Sequence, residues 1–367
     1  MSFPCRFYAV VIPGLEPIAA AELESLSAHE IRVEEGGVSF SGTMETMFRV
    51  NLRSRTITRV LLRLARFTAM AFHELEHHIA GIDWSACLSA ESAITVHASC
   101  HASKLIHSAK VEESIQKALK RKGFGTWPAE KRQNVHIRID NNRCRVSIDT
   151  SGERLDRRGY RLESGKAPVR ESLATAILQW AGWQPDEPLL VPMCGSGTVA
   201  IEAALMAMKI APGLTHEFPF QHWPGLKAKA WKRVVDKTTA MSNGGSESLR
   251  IFASDINADA VAITRRNAER AGVENAIEID QKDAFALKPP ETSEPGVILF
   301  NPPYGRRIDA DIRRLYVAIG KLLSGPFAGW RGVVFSPERA CEDAIGMKIR
   351  QRLRVRHGGS WITILLI

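Results

Sequence analysis

The second half of the chain, from Ala167 onward, alternates short apolar segments with segments of helical periodicity. A strand that is apolar at every position must be buried on both faces, and helices on either side of the sheet supply that cover. We therefore predict an α/β fold with a mostly parallel, doubly wound sheet. Its strands are expected at residues 188–192, 250–255, 276–280, 296–300 and 332–336, and a closing hairpin of 352–357 and 360–367 adds an antiparallel edge strand.

The first 150 residues follow a different pattern, in which short apolar runs alternate with amphipathic stretches. This pattern predicts two small α+β units, one ending near residue 55 and the other running from there to about residue 150. Asn141 and Asn142 mark a tight hairpin turn, because Asn tolerates positive φ. Strands are expected at 7–12, 31–34, 37–40, 60–67, 93–98, 135–140 and 143–149, and helices at 17–27, 43–52, 71–79 and 110–121.

The charge and cysteine content limit the kind of protein this can be. Lys and Arg outnumber Asp and Glu by 49 to 40, which favours a polyanionic partner, although the same excess also serves solubility. No apolar run approaches the ~18 residues of a membrane helix. The six cysteines lie far apart without a C-x-x-C pair, which indicates reduced thiols and no cysteine-based zinc site. We expect a cytoplasmic, unprocessed protein without a metal.

A glycine-bearing turn follows the first predicted strand of the second half. The stretch LLVPMCGSGTVAIEAALMA (residues 189–207) comprises a strand, a turn with Gly195 and Gly197, and a long helix. Glycine at such a turn lets the backbone approach a ligand closely. The bare G-x-G pattern is weak, because many tight turns have it for packing alone. No Gly-Lys-Ser/Thr follows, which excludes a Walker-type phosphate loop, and Ala200 stands where a third glycine would be.

Acidic residues follow the next two predicted strands. Asp255 ends the second strand, where a carboxylate could accept from both ribose hydroxyls of an adenosine. Asp283 follows the third strand and could accept from an adenine amino group. Either acid could instead be a solvated strand end or a helix cap. Suitable groups at three successive strand ends favour adenosine binding.

The sequence NPPYG (residues 301–305) directly follows the apolar run GVILF. Proline has no N–H, so the chain leaves the sheet here and presents two acceptors, the Asn301 amide oxygen and the Pro302 carbonyl. Two acceptors suit an –NH₂ group, such as the aromatic amine of guanine or adenine. Hydrogen bonds accepted from both N–H groups would make the nitrogen more pyramidal and therefore more nucleophilic. Tyr304 would stack on the nucleobase that bears this amino group. A plain turn after a buried strand is the alternative. The predicted catalytic residues are Asn301, Pro302, Pro303 and Tyr304.

Together these stretches resemble the THUMP-domain RNA methyltransferases, which make N2-methylguanosine with S-adenosylmethionine. The resemblance spans nearly the whole chain. It is carried by SIDTSGERLDRRGYR (147–161), APVRESLATAILQWAGW (167–183), PMCGSGT (192–198), FPFQHW (218–223), ASDINADAVAITRRNAERAGV (253–273) and NPPYGRRI (301–308).

The resemblance implies a fold, a domain order and a partner. It implies an N-terminal ferredoxin-like domain at residues 1–55, a THUMP RNA-binding domain at 56–155 and a linker at 156–169. A Rossmann-fold class I methyltransferase domain would follow at 170–367. The partner would be a structured RNA, ribosomal or transfer.

The resemblance also implies site residues. Lys104 in Ser103-Lys104-Leu105 would approach RNA, as would Arg157 and Arg158 of DRRGYR, although a solvated surface explains such basic residues almost as well. The implied cofactor-binding residues are Arg170, Glu171, Pro192, Met193, Cys194, Gly195, Ser196, Gly197, Thr198, Asp255, Ile256, Asp283, Ala284 and Asn301.

One position departs from the family. The family usually has Asp directly before PMCGSGT, where this chain has Val191. Loss of that carboxylate could weaken cofactor binding, so an RNA-binding assembly factor with decayed catalysis is an alternative function. Adenine N6 methylation of DNA is a third, because it shares the NPPY chemistry.

Two further patterns have ordinary structural explanations. His73, Glu74 and His77 fit the H-E-x-x-H zinc-protease pattern, but they lie far from the glycine turn, so we reject a zinc hydrolase. Phe218, Phe220 and Trp223 follow the first helix of the second half. Core packing is the default for such aromatic residues, and lining of the base pocket is the alternative.

Overall fold

The computed structural model describes residues 5–125, 131–163, 168–242, 249–291, 294–303 and 310–367. The chain divides into two compact units. The first unit comprises the chain up to Val11 together with Ala20–Leu155 and Gly213–Thr238. The second comprises Ile12–Ala19, Asp156–Pro212 and Thr239–Ile367. Among the described residues, no helix combines the length and apolar character needed to cross a membrane.

Strands and helices of the described residues are labelled in chain order. Up to residue 150 they are β1 (Cys5–Val11), α1 (Glu16–Ser25), β2 (His29–Glu34), β3 (Gly37–Gly42), α2 (Met44–Arg53), β4 (Ile57–Thr68), α3 (Phe72–Ala80), β5 (Ser92–His101), α4 (Ser108–Arg121), β6 (Lys131–Asp140) and β7 (Arg143–Asp149). They continue as α5 (Glu171–Trp180), β8 (Leu189–Pro192), α6 (Thr198–Ala207), α7 (Ala228–Thr239), β9 (Ile251–Asp255), α8 (Ala258–Arg270), β10 (Glu278–Gln281), β11 (Val297–Phe300), α9 (Ala310–Ser324), β12 (Arg331–Ser336), α10 (Arg339–Ile345), β13 (Gln351–His357) and β14 (Ser360–Leu366).

The second unit contains a seven-stranded sheet in the order β10-β9-β8-β11-β12-β14-β13. The first five of these strands are parallel, and β14 runs antiparallel to both β12 and β13. Gly358 and Gly359 join the closing hairpin with φ of 58° and 86°, which residues with a side chain rarely adopt. The predicted α/β fold and its antiparallel edge hairpin are therefore confirmed.

Burial explains why these strands are apolar at every position. All four residues of β11 are fully buried, and most residues of α5 and α6 are buried as well. One face of the sheet packs around Phe300, Tyr316, Phe327 and neighbouring aliphatic side chains. A central strand covered on both sides excludes water along its whole length, so function concentrates where the strands end.

The first unit contains a second seven-stranded sheet, in the order β2-β3-β1-β4-β7-β6-β5. Its pairs are antiparallel except β5 with β6. Strand β4 pairs with β1 on one side and β7 on the other, so one sheet runs through both predicted α+β units. Asn141 and Asn142 turn the chain from β6 to β7 with φ of 49° and 61°, as predicted.

The two faces of this sheet differ in polarity. Along β6, Val135, Ile137 and Ile139 are buried on one face, whereas Arg132 and Arg138 on the other face are exposed. Helix α4 buries its apolar side, which includes Val111 and Ile115, and packs against β5. The sheet therefore has a helix-covered apolar face and an opposite face, the open face, which is polar and exposed around Arg66 and Arg138 although Ser147 and Asp149 are buried in it.

The segment Gly213–Thr238 belongs to the first unit, although it lies between α6 and β9 in the sequence. Phe218 and Phe220 are fully buried and stack 5.1 Å apart, and both contact Trp231 of α7. Phe220 also contacts Phe48 of α2, with ring centroids 5.0 Å apart.

Trp223 of the same segment is buried as well and donates from Nε1 to Gln133 Oε1 at 2.7 Å. Core packing of the predicted aromatic residues is confirmed. Their burial in the first unit does not support the alternative that they line a base pocket. The predicted domain boundaries at residues 55, 155 and 169 stay predictions.

Candidate active site

Four predicted ligand-binding segments follow four adjacent parallel strands. The glycine turn follows β8, Asp255 ends β9, Asp283 follows β10, and Asn301 follows β11. Parallel strands end at the same edge of a sheet, so these segments share one edge of the second unit. Strand β8 is the first of the sheet in sequence, and later strands add on both of its sides. The edge beyond β8 is therefore the topological switch point, where open α/β sheets bind ligands.

The glycine turn has a left-handed backbone at three positions. Met193, Gly195 and Gly197 have φ of 60°, 59° and 79°. A Cβ on Gly197 would lie 2.5 Å from Thr264 Cγ2, closer than any real contact. A Cβ on Gly195 would meet no atom within 4 Å. Gly197 therefore permits close packing of α6 on α8, whereas Gly195 leaves space open at the edge of the sheet, which a ligand can use.

Cys194 lies in this turn but is not suited to nucleophilic chemistry. Its N–H donates to Ser254 O at 2.9 Å, and its Sγ lies 3.5 Å from Thr264 Oγ1. Burial raises the pKa of the Cys194 thiol to about 12, so it stays protonated at neutral pH. The cysteine is part of the turn's framework, as are Ser196 and Thr198, whose hydroxyls lie 3.3 Å apart.

Asp255 is held against the glycine turn by both of its carboxylate oxygens. Oδ2 accepts from the Gly195 N–H and Oδ1 from the Asn257 N–H, each at 3.0 Å. The next residue, Ile256, is 68% exposed although it is large and apolar. An acid fixed beside an exposed apolar side chain suits a ribose hydroxyl pair with a flat base stacked next to it.

Asp283 begins a short 3-10 helix, residues 284–286, and its Oδ1 accepts from the Phe285 N–H at 3.0 Å. The helix-cap interpretation is thus realised, and it occupies only one carboxylate oxygen. Ala284 is buried, but Phe285 is 37% exposed. Phe285 was not among the predicted residues. Its position, an aromatic residue two places after the predicted adenine-binding acid, was visible in the sequence.

Asn301 presents a buried acceptor that has no partner. Its Oδ1 is inaccessible to solvent and accepts no hydrogen bond from the described part of the chain. A buried amide oxygen left unpaired costs about 1–3 kcal/mol. Pro302 is buried and Pro303 exposed. Tyr304, the fourth predicted catalytic residue, lies outside the described residues.

A buried acidic cluster lies behind the edge of the sheet. Glu202 of α6 is fully buried and accepts from Tyr160 Oη and Thr175 Oγ1, both at 3.0 Å. Arg158 Nε lies 3.7 Å from Glu202 Oε1, and only 3% of the Arg158 side chain is exposed. The guanidinium of Arg158 is therefore buried beside an acid, which does not favour a contact with RNA, and its predicted RNA-binding role stays a prediction. Arg157, the next residue toward the N-terminus, is exposed.

Glu171 and Arg170 stand at the start of α5. Arg161 Nε and Nη2 donate to the two carboxylate oxygens of Glu171 at 3.1 and 2.9 Å. Burial raises the pKa of Glu171 to about 7, although Arg161 opposes the rise. Arg170 is exposed at the N-cap of this helix.

Val191 is buried in β8 directly opposite Ala253 of β9. The place of the family's usual aspartate is thus apolar, and Pro192 follows it, also buried. Within this unit, Glu171 and Glu202 are acids on the helices that flank the strand. Lys104 belongs to the first unit, where it is exposed and its N–H donates to Asn142 Oδ1 at 2.7 Å.

These features define the class of protein. The sheet is doubly wound and closes with an antiparallel hairpin, with an open glycine turn after its first strand and a fixed acid after its second. After its fourth strand lies an amide oxygen without a partner among the described residues. This combination is typical of a class I methyltransferase. The residues fit S-adenosylmethionine, since Gly195 leaves room for it and Asp255 and Ile256 offer a polar and an apolar contact.

Comparison with known proteins gives the family. Residues 158–362 match the RMKL-like methyltransferase domain family, and residues 6–61 match the RlmL ferredoxin-like domain. The chain belongs to the RMKL-like methyltransferase family. The predicted enzyme class, a methyltransferase that uses S-adenosylmethionine, and the predicted ferredoxin-like fold at the N-terminus are confirmed.

Two relatives have similar sequences along nearly the whole chain. The ribosomal RNA large subunit methyltransferase K/L of Magnetococcus marinus is 35% identical over 96% of this chain and 51% of its own length. The chain therefore spans about half of that relative. A putative RNA methyltransferase of Synechocystis is 34% identical over 98% of this chain and 95% of its own length.

Two solved structures are similar over the full chain. SMU.472, a putative methyltransferase in complex with SAH, has a TM-score of 0.91 at 29% identity and covers 100% of this chain and 98% of its own. A predicted N6-adenine-specific DNA methylase from Listeria monocytogenes has a TM-score of 0.88 at 28% identity, with coverage of 99% and 96%.

Proposed function

We propose that this protein transfers a methyl group from S-adenosylmethionine to the exocyclic N2 of a guanine in ribosomal or transfer RNA. The observation that carries the proposal is the buried Oδ1 of Asn301 at the end of β11, which accepts no hydrogen bond from the residues that the structure describes. An isolated fold has no reason to retain that cost, whereas an amine substrate would satisfy the oxygen.

The chemistry follows from the properties of an aromatic amine. Its lone pair is delocalised into the ring, which makes the nitrogen a poor nucleophile. Asn301 Oδ1 would accept from one N–H and the Pro302 carbonyl from the other, which favours a pyramidal nitrogen with a localised lone pair. Orientation of the nitrogen toward the methyl group would supply much of the rate. S-adenosylmethionine, when bound, supplies an electrophilic methyl group.

The remaining residues would hold the cofactor. We assign the turn from Pro192 to Thr198 to its methionine and ribose portions, and Asp255 to the ribose hydroxyls. Ile256 and Phe285 would flank the adenine, and Asp283 would accept from its amino group. Arg170 and Glu171 would approach the methionine end.

RNA as the substrate is supported by the relatives. One is named a ribosomal RNA methyltransferase and the other a putative RNA methyltransferase, and both match this chain nearly throughout. The formal charge of +9 suits a polyanionic partner. A THUMP domain at residues 56–155 that binds structured RNA, with Lys104 and Arg157 as contacts, and a cytoplasmic location are parts of the same proposal.

Product analysis tests the proposal directly. Purified protein is incubated with methyl-labelled S-adenosylmethionine and with ribosomal and transfer RNA from a strain that lacks the gene, and the nucleosides are separated. We expect label in N2-methylguanosine. Label in N6-methyladenosine, or with DNA as the better acceptor, would favour the adenine N6 alternative, the activity in the name of the Listeria structure.

Calorimetric titration with S-adenosylhomocysteine tests the assembly-factor alternative, which the apolar Val191 motivates. Saturable binding with micromolar or tighter affinity is expected. If RNA binds but S-adenosylhomocysteine does not, the protein acts through RNA binding alone and the catalytic proposal fails.

A further inference from the structure

The open face of the first unit's sheet has three arginines in one row. Arg66 of β4 lies directly opposite Arg145 of β7, and Arg145 lies directly opposite Arg138 of β6. Residues directly opposite in neighbouring strands point to the same face and have side chains in contact range. We call these three residues the arginine row. Neighbouring strands are about 4.8 Å apart, so the arginine row spans about 10 Å.

Such a row is unfavourable within the protein alone. Like charges directly opposite each other destabilise a sheet. Arg66 and Arg138 form no ion pair with any described acid, and Arg145 has one acidic neighbour, Glu34, at 3.6 Å. Nearby Arg63 has a lowered pKa, first because it is largely buried and then because of Arg145 and Arg138.

A neighbouring row adds an unpaired polar atom. His136 lies directly opposite Ser147 on one side and His97 on the other, on the same face as Arg63, whose Nη1 donates to Ser147 Oγ at 3.2 Å. His136 Nε2 is buried and has no hydrogen-bond partner among the described residues. Arg66 and Arg138, and the Nε2 atom of His136, therefore have no ion-pair or hydrogen-bond partner among the described residues.

We propose that this open face is a docking surface for the phosphate backbone of RNA, with the arginine row as its centre. Guanidinium groups bind phosphate oxygens in a bidentate manner, and binding would offset the repulsion within the row. Exposed Thr95, His97, Ser99 and Arg143 on the same face would add hydrogen bonds to phosphate or ribose.

The chemistry of the face favours RNA over other acidic surfaces. Protein interfaces have an apolar, aromatic-rich centre, and peripheral membrane proteins insert apolar side chains. The exposed residues of β5 and β6 on this face are polar or basic, without a large apolar side chain. The inference rests on the proposed function in one respect only, the choice of RNA as the polyanion that binds this face.

The test compares two variants of the full chain that lose the same charge. The first is Arg66→Ser/Arg138→Ser/Arg145→Ser. The matched control is Lys229→Ser/Lys232→Ser/Lys237→Ser, which removes three exposed lysines from α7 of the same unit. Binding of a fluorescein-labelled RNA hairpin is followed by anisotropy over a range of salt concentrations.

We expect the arginine-row variant to bind the hairpin at least about 30-fold more weakly at low salt, with its salt slope reduced by about 2 to 3. The control should change affinity less than about 3-fold. Equal losses in both variants, or unchanged binding by the first, would overturn the proposal. The proposal would also be overturned if the arginine-row variant lost binding to anionic phosphatidylserine vesicles but still bound the RNA hairpin.

The experiment also separates this inference from the proposed function. Both variants must retain a cooperative urea unfolding transition, which shows that the chain is folded whether or not it binds S-adenosylhomocysteine. RNA affinity is measured without methyl transfer. Weakened RNA binding by the arginine-row variant therefore supports the docking surface even if product analysis finds no N2-methylguanosine.

Discussion

The two seven-stranded sheets of this chain use their surfaces in different ways. The sheet of the second unit is covered on both faces, and its polar groups meet at the edge where four parallel strands end. The sheet of the first unit has one apolar face and one open basic face. A parallel sheet leaves only its ends for chemistry, whereas a largely antiparallel sheet can offer a whole face. We therefore place catalysis at the edge of the second unit's sheet and RNA docking on the open face of the first unit's sheet.

The consequences for sequence differ accordingly. At the edge, each functional residue occupies a fixed place after a strand, so a short motif such as PMCGSGT or NPP reveals it. On the face, function depends on which residues lie opposite one another in neighbouring strands. The register of the strands decides which residues lie opposite one another, and this register cannot be predicted from a single sequence without information on strand pairing.

The largest effect is expected at the edge, from Asn301→Ala. Loss of one preorganised hydrogen-bonding group at a reacting centre costs about 100- to 1,000-fold in rate. Removal of a buried unpaired oxygen should at the same time leave the free energy of unfolding unchanged or higher. Methyl transfer with saturating cofactor gives the first quantity and urea denaturation the second.

Asn301→Asp supplies the matched control, because it keeps an acceptor oxygen in place. It should retain clearly more activity than Asn301→Ala. If Asn301→Ala lowers stability by several kcal/mol and the rate falls only in proportion, Asn301 is a structural residue and the edge loses its proposed role.

The next effect concerns the two glycines of the turn. Gly197→Ala places a Cβ 2.5 Å from Thr264 Cγ2, whereas Gly195→Ala meets no atom within 4 Å. Both substitutions impose a left-handed backbone on alanine, at about 1–2 kcal/mol. We expect Gly197→Ala to lower the free energy of unfolding by about 1–3 kcal/mol more, the usual range for overpacking.

Adding Thr264→Ser removes the clashing methyl group and should restore part of the stability of Gly197→Ala. Gly195→Ala should instead weaken S-adenosylhomocysteine binding, because its methyl group fills the space left at the edge. Equal unfolding free energies for the two alanine variants would contradict this division of roles between the glycines.

A third effect concerns Glu171, a buried carboxyl group of the second unit, and the pH dependence of the free energy of unfolding. The pKa of Glu171 is about 7 in the folded protein, against an ordinary value of 4.5, because burial disfavours its charged form. A raised carboxyl pKa gives a stabilising contribution that is fully present below pH 4.5 and is lost as pH rises through 7. Glu171→Gln lacks this dependence.

The measurement is the difference in unfolding free energy between the natural protein and Glu171→Gln from pH 5 to 8. The natural protein should lose about 2 kcal/mol relative to the variant over this range, since one pKa unit corresponds to 1.36 kcal/mol. A constant difference would mean that Arg161 keeps Glu171 ionised throughout.

Much of the fold and part of the site could be predicted from the sequence. The strands around Pro192, Asp255 and Asn301 were predictable because a doubly buried strand is apolar at every position and ends at a turn residue. The buried pairing of Arg158 with Glu202 was not, because it depends on packing between segments 44 residues apart in sequence.

The placement of Gly213–Thr238 in the first unit was unpredictable for the same reason. Its aromatic residues indicated a core, but periodicity contains no information on which core they enter. Phe220 contacts Phe48, and Trp223 hydrogen-bonds Gln133, so long-range contacts decide the matter.

The smallest expected effect is on stability, from a single substitution in the arginine row of the open face. Arg138→Thr removes one member of the arginine row, and relief of like-charge repulsion should raise the free energy of unfolding. Arg132→Thr is the matched control, because Arg132 lies on the same strand and face but opposite Ala93. We expect Arg138→Thr to be more stable than Arg132→Thr by about 0.2–1 kcal/mol, measured by urea denaturation at low salt.

High salt should shrink this difference, because the screening length falls to about 3 Å at 1 M, shorter than the ~4.8 Å between neighbouring strands. Equal stabilities at low salt would mean that the arginine row costs the fold nothing. The face would then be an ordinary solvated surface, and the argument that it needs a polyanion would fail.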